Sequence, residues 1–187
     1  MSSAAWFTVL IGLVVLERLA ELVVSRRHAA WAFARGGREY GRSHYPVMVV
    51  LHSGFLVGAL IEVWWGGRDF PVWGWAMLAL AVATQALRWW CIATLGPRWN
   101  TRVIVVPGLP LVTGGPYRFL SHPNYVAVVL EGIALPLVHG AWVTALVFTV
   151  LNAALLTVRI RVENAALAEA SSTSASAASG APTSPPG

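Results

Sequence analysis

Lysine is absent from this 187-residue chain, so all thirteen basic residues are arginine. Cysteine is nearly absent as well. Cys91 stands alone in an apolar run, which excludes an internal disulfide and leaves the redox compartment open. In that setting it reads as a small packed hydrophobe. No HExxH, no CxxC and no closely spaced histidine pair is present, so zinc has no support and no metal is expected. The five histidines are scattered, which argues against haem or a di-iron centre. P-loop, GxGxxG and GxSxG patterns are missing too, and no serine nucleophile with a nearby base can be identified.

What the chain has is apolar sequence. It is 57% hydrophobic, with a mean hydropathy of +0.64. That exceeds an ordinary soluble domain and points to an integral membrane protein in contact with the lipid bilayer. The net charge of +5 does not argue for nucleic acid, because the arginines fall between apolar runs, where membrane topology accounts for them.

Five spans are predicted, over residues 4–24, 47–65, 72–92, 123–136 and 142–158. The 25–45 connector holds Arg26, Arg27, Arg35, Arg38 and Arg42, which marks it as cytoplasmic. Its first part extends the helix until Gly36-Gly37 stops it. The 96–113 connector, with Arg98 and Arg102, returns to the same side, and its Val103 segment reads as extended. Residues 66–71 and 138–140 form outer turns, and His139 reads as a solvated turn residue. Tryptophans fall at both predicted interfaces. The N-terminus is then outside and the C-terminus in the cytosol, with the last span continuing through Ala168. The fold class is all-α, a membrane bundle of about five helices with a cytosolic connector and a C-terminal helical hairpin. Residues 1–94 form a three-span scaffold, 95–169 carry the candidate site, and 170–187 cannot build a core and are expected to be disordered.

Chemistry concentrates in residues 114–131, GGPYRFLSHPNYVAVVLE. A Gly/Pro loop becomes an apolar helix at Pro123, where a missing backbone donor costs nothing. The free N–H groups and positive end of that helix suit an anionic ligand. Several ionisable residues fall at similar depth in the inner half of the spans: Glu17, Arg18, Glu21, His52, Arg88 and Glu131. Charges at depth pair with each other or line a polar cavity. Both readings stand, with one polar site near the cytoplasmic face as the functional one.

The run GGPYRFLSHPNYVAVVLEGIALPL resembles the signature of the isoprenylcysteine carboxyl methyltransferase family. Gly115-Pro116-Tyr117-Arg118, His122-Pro123-Asn124-Tyr125, an apolar hairpin, and Arg159 or Arg161 with Glu163 match its pattern. The likeness is strong over residues 95–167. The run WNTRVIVVPGLPLVTGGPYRFLSHPNY looks like a bacterial branch of the family associated with type III polyketide products. Ser121 stands where the motif usually has Arg, and Asn164 where a second Glu is common. The resemblance implies S-adenosyl-L-methionine as cofactor and O-methylation of a lipophilic small molecule in the bacterial cytoplasmic membrane. The acceptor would be alkylpyrone-like, alkylresorcinol-like or a prenylcysteine-like carboxylate.

On that resemblance, Gly115, Tyr117, His122, Pro123, Tyr125 and Glu163 are the cofactor-binding candidates. His122 and the helix start hold the carboxylate of the cofactor's methionine part, Tyr117 and Tyr125 line its adenosine pocket, and Glu163 accepts from ribose hydroxyls or the amino group. Arg118, with Arg159 or Arg161, holds the acceptor's anion. Two other readings are a non-catalytic lipid-binding membrane protein and an NADPH-dependent membrane reductase with a similar C-terminal hairpin.

Overall fold

The computed structural model describes residues 2–67 and 69–179. It contains five helices: α1 (Ser3–Phe33), α2 (His44–Gly66), α3 (Gly74–Leu95), α4 (Pro123–Leu137) and α5 (Trp142–Ser179). Three segments, His44–Gly66, Gly74–Arg98 and Trp142–Ala170, are long and apolar enough to cross a membrane. α4 is apolar but only 15 residues long. α1 has 31 residues, about 46 Å at 1.5 Å per residue, and carries Glu17, Arg18 and Glu21 midway. The protein is therefore an all-α membrane bundle.

Local chemistry sets the helix limits. Ser2 caps α1, its Oγ accepting from the Ala5 amide at 3.2 Å. Gly67, in the left-handed region at φ 54°, ends α2. The start of α5 is capped from another helix: Glu62 accepts from the amides of Val143 at 3.1 Å and Thr144 at 2.8 Å. A carboxylate on these free donors complements the positive helix end.

The half of the bundle farther from the α1–α2 and α3–α4 connectors holds the apolar core. Phe7, Ile11 and Val14 of α1 meet Phe55, Ala59 and Val63 of α2, with Leu135 of α4 and Phe148 of α5. Spacings of three and four residues put each set on one helix face. The opposite faces expose Leu13, Leu16, Val50 and Val147, an outward apolar surface suited to lipid. α4 lies close to α5 because a side chain at Gly132 would sit 2.3 Å from the Phe148 ring.

Two short strands join the connectors at one end. β1 (Arg38–Tyr40) pairs antiparallel with β2 (Val103–Val105), in the register Arg38 with Val105 and Tyr40 with Val103. The extended Val103 segment thus has a partner, which satisfies its backbone groups. Glu39 ties the pair further, 3.6 Å from Arg102 and 3.2 Å from Arg42.

Within the fold, the structure departs from the sequence reading at His139 and beyond residue 170. His139 is buried at 1% exposure, packed against the rings of Phe7 and Phe70, and is not a solvated turn residue. The turn between α4 and α5 packs against the start of α1 at Phe7, so its histidine joins the core. α5 also continues as helix to Ser179, past residue 170, where disorder is expected. Alanines recur in that stretch, and alanine is the strongest helix former. Residues 180–187 of the expected tail lie outside the described residues.

Candidate active site

The loop before α4 is anchored on α3. Gly115 has φ +54°, and a side chain there would lie 2.4 Å from Thr94 Oγ1, so only glycine allows this approach. The 3-10 turn Gly115–Arg118 sets Tyr117 beside Cys91. Burial raises the Tyr117 phenol above its ordinary range, reinforced by the Cys91 thiol as neighbour and hydrogen-bond partner. The chain then reaches His122, which is non-helical at φ −133° and ψ 61°, and Pro123 takes the first helical position.

One helix turn of α5 meets this start. Arg159 and Glu163 are four residues apart and share a face. The Tyr125 hydroxyl donates to Glu163, and His122 Nδ1 lies 3.8 Å from the same carboxylate. The rings of His122 and Tyr125 stack with centroids 5.4 Å apart. These groups wall a cavity of about 460 Å³, whose other side is formed by Arg98, Trp99, Arg102, Val103, Ile104, Leu109, Pro110 and Leu111. Its volume falls in the range of small-molecule sites. Arg98 Nη1 donates to the Pro110 carbonyl at 2.6 Å and holds the connector over the cavity.

Arg159 is the unusual member. It is 6% exposed, and Nη2 donates to the Thr101 carbonyl at 2.9 Å. Its guanidinium carbon lies 5.8 Å from the Tyr125 ring centroid, and its Nε has no hydrogen-bond partner. Among the described residues it forms no ion pair with a carboxylate, whereas the buried Arg88 has two such partners. An unpaired buried cation is costly unless an anion joins it.

Of the predicted residues, Tyr117, His122, Tyr125, Arg159 and Glu163 line the cavity. Gly115 and Pro123 shape the backbone that presents them. Arg118 and Arg161 are exposed and do not line it. Ser121 and Asn164, the two departures from the motif, both do. Sequence reasoning missed Trp99, which it read as an interfacial residue. At 3% exposure it is buried in the cavity wall. The only signal was its place between Arg98 and Arg102 in a polar connector.

The intramembrane charges resolve differently. Glu131 accepts from Arg18 at 2.8 Å, Arg88 at 2.6 Å and Gln85 at 3.1 Å. Arg18 also binds Glu21 at 2.6 Å, and Glu17 accepts from the Trp89 indole at 2.7 Å. His52 donates to the Met48 carbonyl and packs edge-on to Phe148. None of these side chains lines the cavity. They tie α1, α3 and α4 together, so the ion-pairing reading holds and the single polar site at that depth does not.

The fold and cavity define a class: a helical membrane protein with a cavity, lined by apolar residues and a few polar and charged ones, at the end of its C-terminal helix pair. Residues 77–169 match the family model described as the isoprenylcysteine carboxyl methyltransferase (ICMT) family. A Bacillus subtilis (strain 168) protein, described as uncharacterized protein YpbQ, is 39% identical over 163 residues, covering 87% of this chain and 97% of its own. An uncharacterized protein of Haemophilus influenzae is 27% identical over 151 residues, covering 80% and 88%. No solved structure matches the chain. The chain belongs to the isoprenylcysteine carboxyl methyltransferase family, a family of membrane methyltransferases.

Proposed function

We propose that this protein is an S-adenosyl-L-methionine-dependent O-methyltransferase acting on a lipophilic acceptor with an anionic oxygen. The observation that carries the reading is Arg159, buried without a carboxylate partner, in one cavity wall with His122, Tyr125 and Glu163. The donor set fits the cofactor's methionine part. His122 and the start of α4 suit its carboxylate, and Glu163 suits its ammonium or the ribose hydroxyls. Tyr117 and Tyr125 offer flat surfaces to an adenine ring.

When bound, the cofactor supplies an electrophilic methyl group. The residues of the chain then orient and exclude. Arg159 holds the acceptor oxygen in line, and the connector over the cavity keeps water away. Arg118 and Arg161, exposed near the same end, take the supporting role of drawing an anion toward it. A carboxylate or acidic enol arrives already ionised and needs no base, whereas a phenol would benefit from one. The acceptor is read as alkylpyrone-like, alkylresorcinol-like or a prenylcysteine-like carboxylate.

Titration of the purified protein with S-adenosylhomocysteine and with NADPH tests this reading. Micromolar binding of the first alone is expected, and NADPH binding alone would favour the reductase. Binding of neither would favour a non-catalytic lipid-binding protein. The arginine-rich connectors support a cytosolic cavity in the bacterial inner membrane, N-terminus outside. A C-terminal reporter that is active only in the periplasm would contradict that orientation.

A further inference from the structure

Arg159 needs something to hold it in the cavity wall, and the structure traces that support to α1, outside the family-matched residues 77–169. Its Nη2 donates to the carbonyl of Thr101. The Thr101 peptide and side chain are in turn fixed by Ser25. Ser25 Oγ accepts from the Thr101 amide at 3.1 Å and from Thr101 Oγ1 at 2.8 Å. A serine hydroxyl has one proton to give, and here it goes to Asn100 Oδ1 at 2.9 Å. Asn100 Nδ2 returns a bond to the Ser25 carbonyl at 3.0 Å, and its Oδ1 also accepts from the Arg102 amide at 3.0 Å. One turn further along α1, His28 Nδ1 donates to the Trp99 carbonyl at 2.9 Å.

The consequence is mechanical. Ser25 is 4% exposed and uses its donor and both acceptor directions on residues 100 and 101. These bonds tie the connector to α1. The Thr101 carbonyl points its negative end at a buried guanidinium. A carbonyl dipole holds the cation without neutralising it, which leaves Arg159 free to bind an anion. A carboxylate in that place would quench it.

We propose that Ser25 is a positioning residue for Arg159, acting through Thr101, and so sets the affinity and alignment of the acceptor's anion. This rests on the reading above that Arg159 binds that anion. Ser25 does not line the cavity; its bonds to Thr101 reach the cavity at Arg159, through the Thr101 carbonyl.

The test uses the full-length protein and the variants Ser25→Ala, Ser25→Thr, Arg159→Lys and Ser25→Ala/Arg159→Lys. It reads kcat/KM with a long-chain 4-hydroxy-2-pyrone as acceptor and the dissociation constant of S-adenosylhomocysteine. Ser25→Ala is expected to lower kcat/KM about tenfold, as misplacement of a positioning group does, with S-adenosylhomocysteine affinity changed less than about twofold. Ser25→Thr keeps the hydroxyl and restores most of the loss. The double variant is no worse than Arg159→Lys alone, because both changes break one chain of contacts. If Ser25→Ala does not fold, Thr101→Val removes one of the same bonds and is expected to act in the same direction. Additive losses in the double variant, an unchanged kcat/KM in Ser25→Ala, or a parallel loss of S-adenosylhomocysteine affinity would overturn the proposal. A wild type that binds no S-adenosylhomocysteine contradicts the methyltransferase reading instead, so the two failures are distinct.

Discussion

Replacing Glu131 by alanine tests the physical account of the bundle. Glu131 is 6% exposed and faces Arg88 Nη2 at 2.6 Å and Arg18 Nη2 at 2.8 Å. Without it, Arg88, also 6% exposed, keeps only a 3.5 Å approach to Glu21. Stranding one partner of a buried pair costs about 3–5 kcal/mol. At about 2–4 °C per kcal/mol for a chain of this size, the melting temperature should fall by roughly 6–20 °C. Thermal melts by circular dichroism in one detergent would measure it. Arg42→Ala is the control, because its side chain is 75% exposed and exposed pairs contribute at most about 1 kcal/mol. Glu131→Leu combined with Arg88→Met should recover most of the loss, since it removes both charges and leaves Arg18 with Glu21. A Glu131→Ala shift no larger than that of Arg42→Ala would refute the reasoning.

Other predictions address the site. His122→Ala should weaken S-adenosylhomocysteine binding at least about tenfold, by calorimetry, while the melting temperature stays near wild type. Arg159→Ala should raise the acceptor's KM or lower turnover with S-adenosylhomocysteine affinity kept, and Arg118→Ala should do less, as steady-state kinetics would show. Gly115→Ala should destabilise by about 1–3 kcal/mol, read by thermal melting, because it forces a side chain into a left-handed residue and against Thr94.

The bundle was legible because lipid demands long apolar helices, and composition alone reveals those. Helix ends were legible where Gly or Pro marked them, at Gly67 and Pro123. The strand pair was only half legible: Val103–Val105 looked extended, but Arg38–Tyr40 reads as polar loop, and pairing across 63 residues leaves no local signal. His139 misled because a histidine between Val138 and Gly140 looks like an exposed turn, and only the packing of α1 beneath it shows otherwise. Around the cavity, Tyr117, His122, Tyr125, Arg159 and Glu163 were picked out through the family resemblance, and all five line it. Ser25, Trp99 and Thr101 did not, because their roles depend on which segments meet. The intramembrane charges carried a true signal of cost but an ambiguous one of purpose, which distances of 2.6 to 2.8 Å between Arg and Glu decide.

The most direct test of the central claim is transfer of a labelled methyl group from S-adenosyl-L-methionine by the purified wild-type protein. An alkylpyrone, an alkylresorcinol and a prenylated cysteine would be offered in lipid nanodiscs. The account predicts label in at least one of them, lost with Arg159→Ala. S-adenosylhomocysteine binding too weak to measure, together with no label in any acceptor, would contradict it.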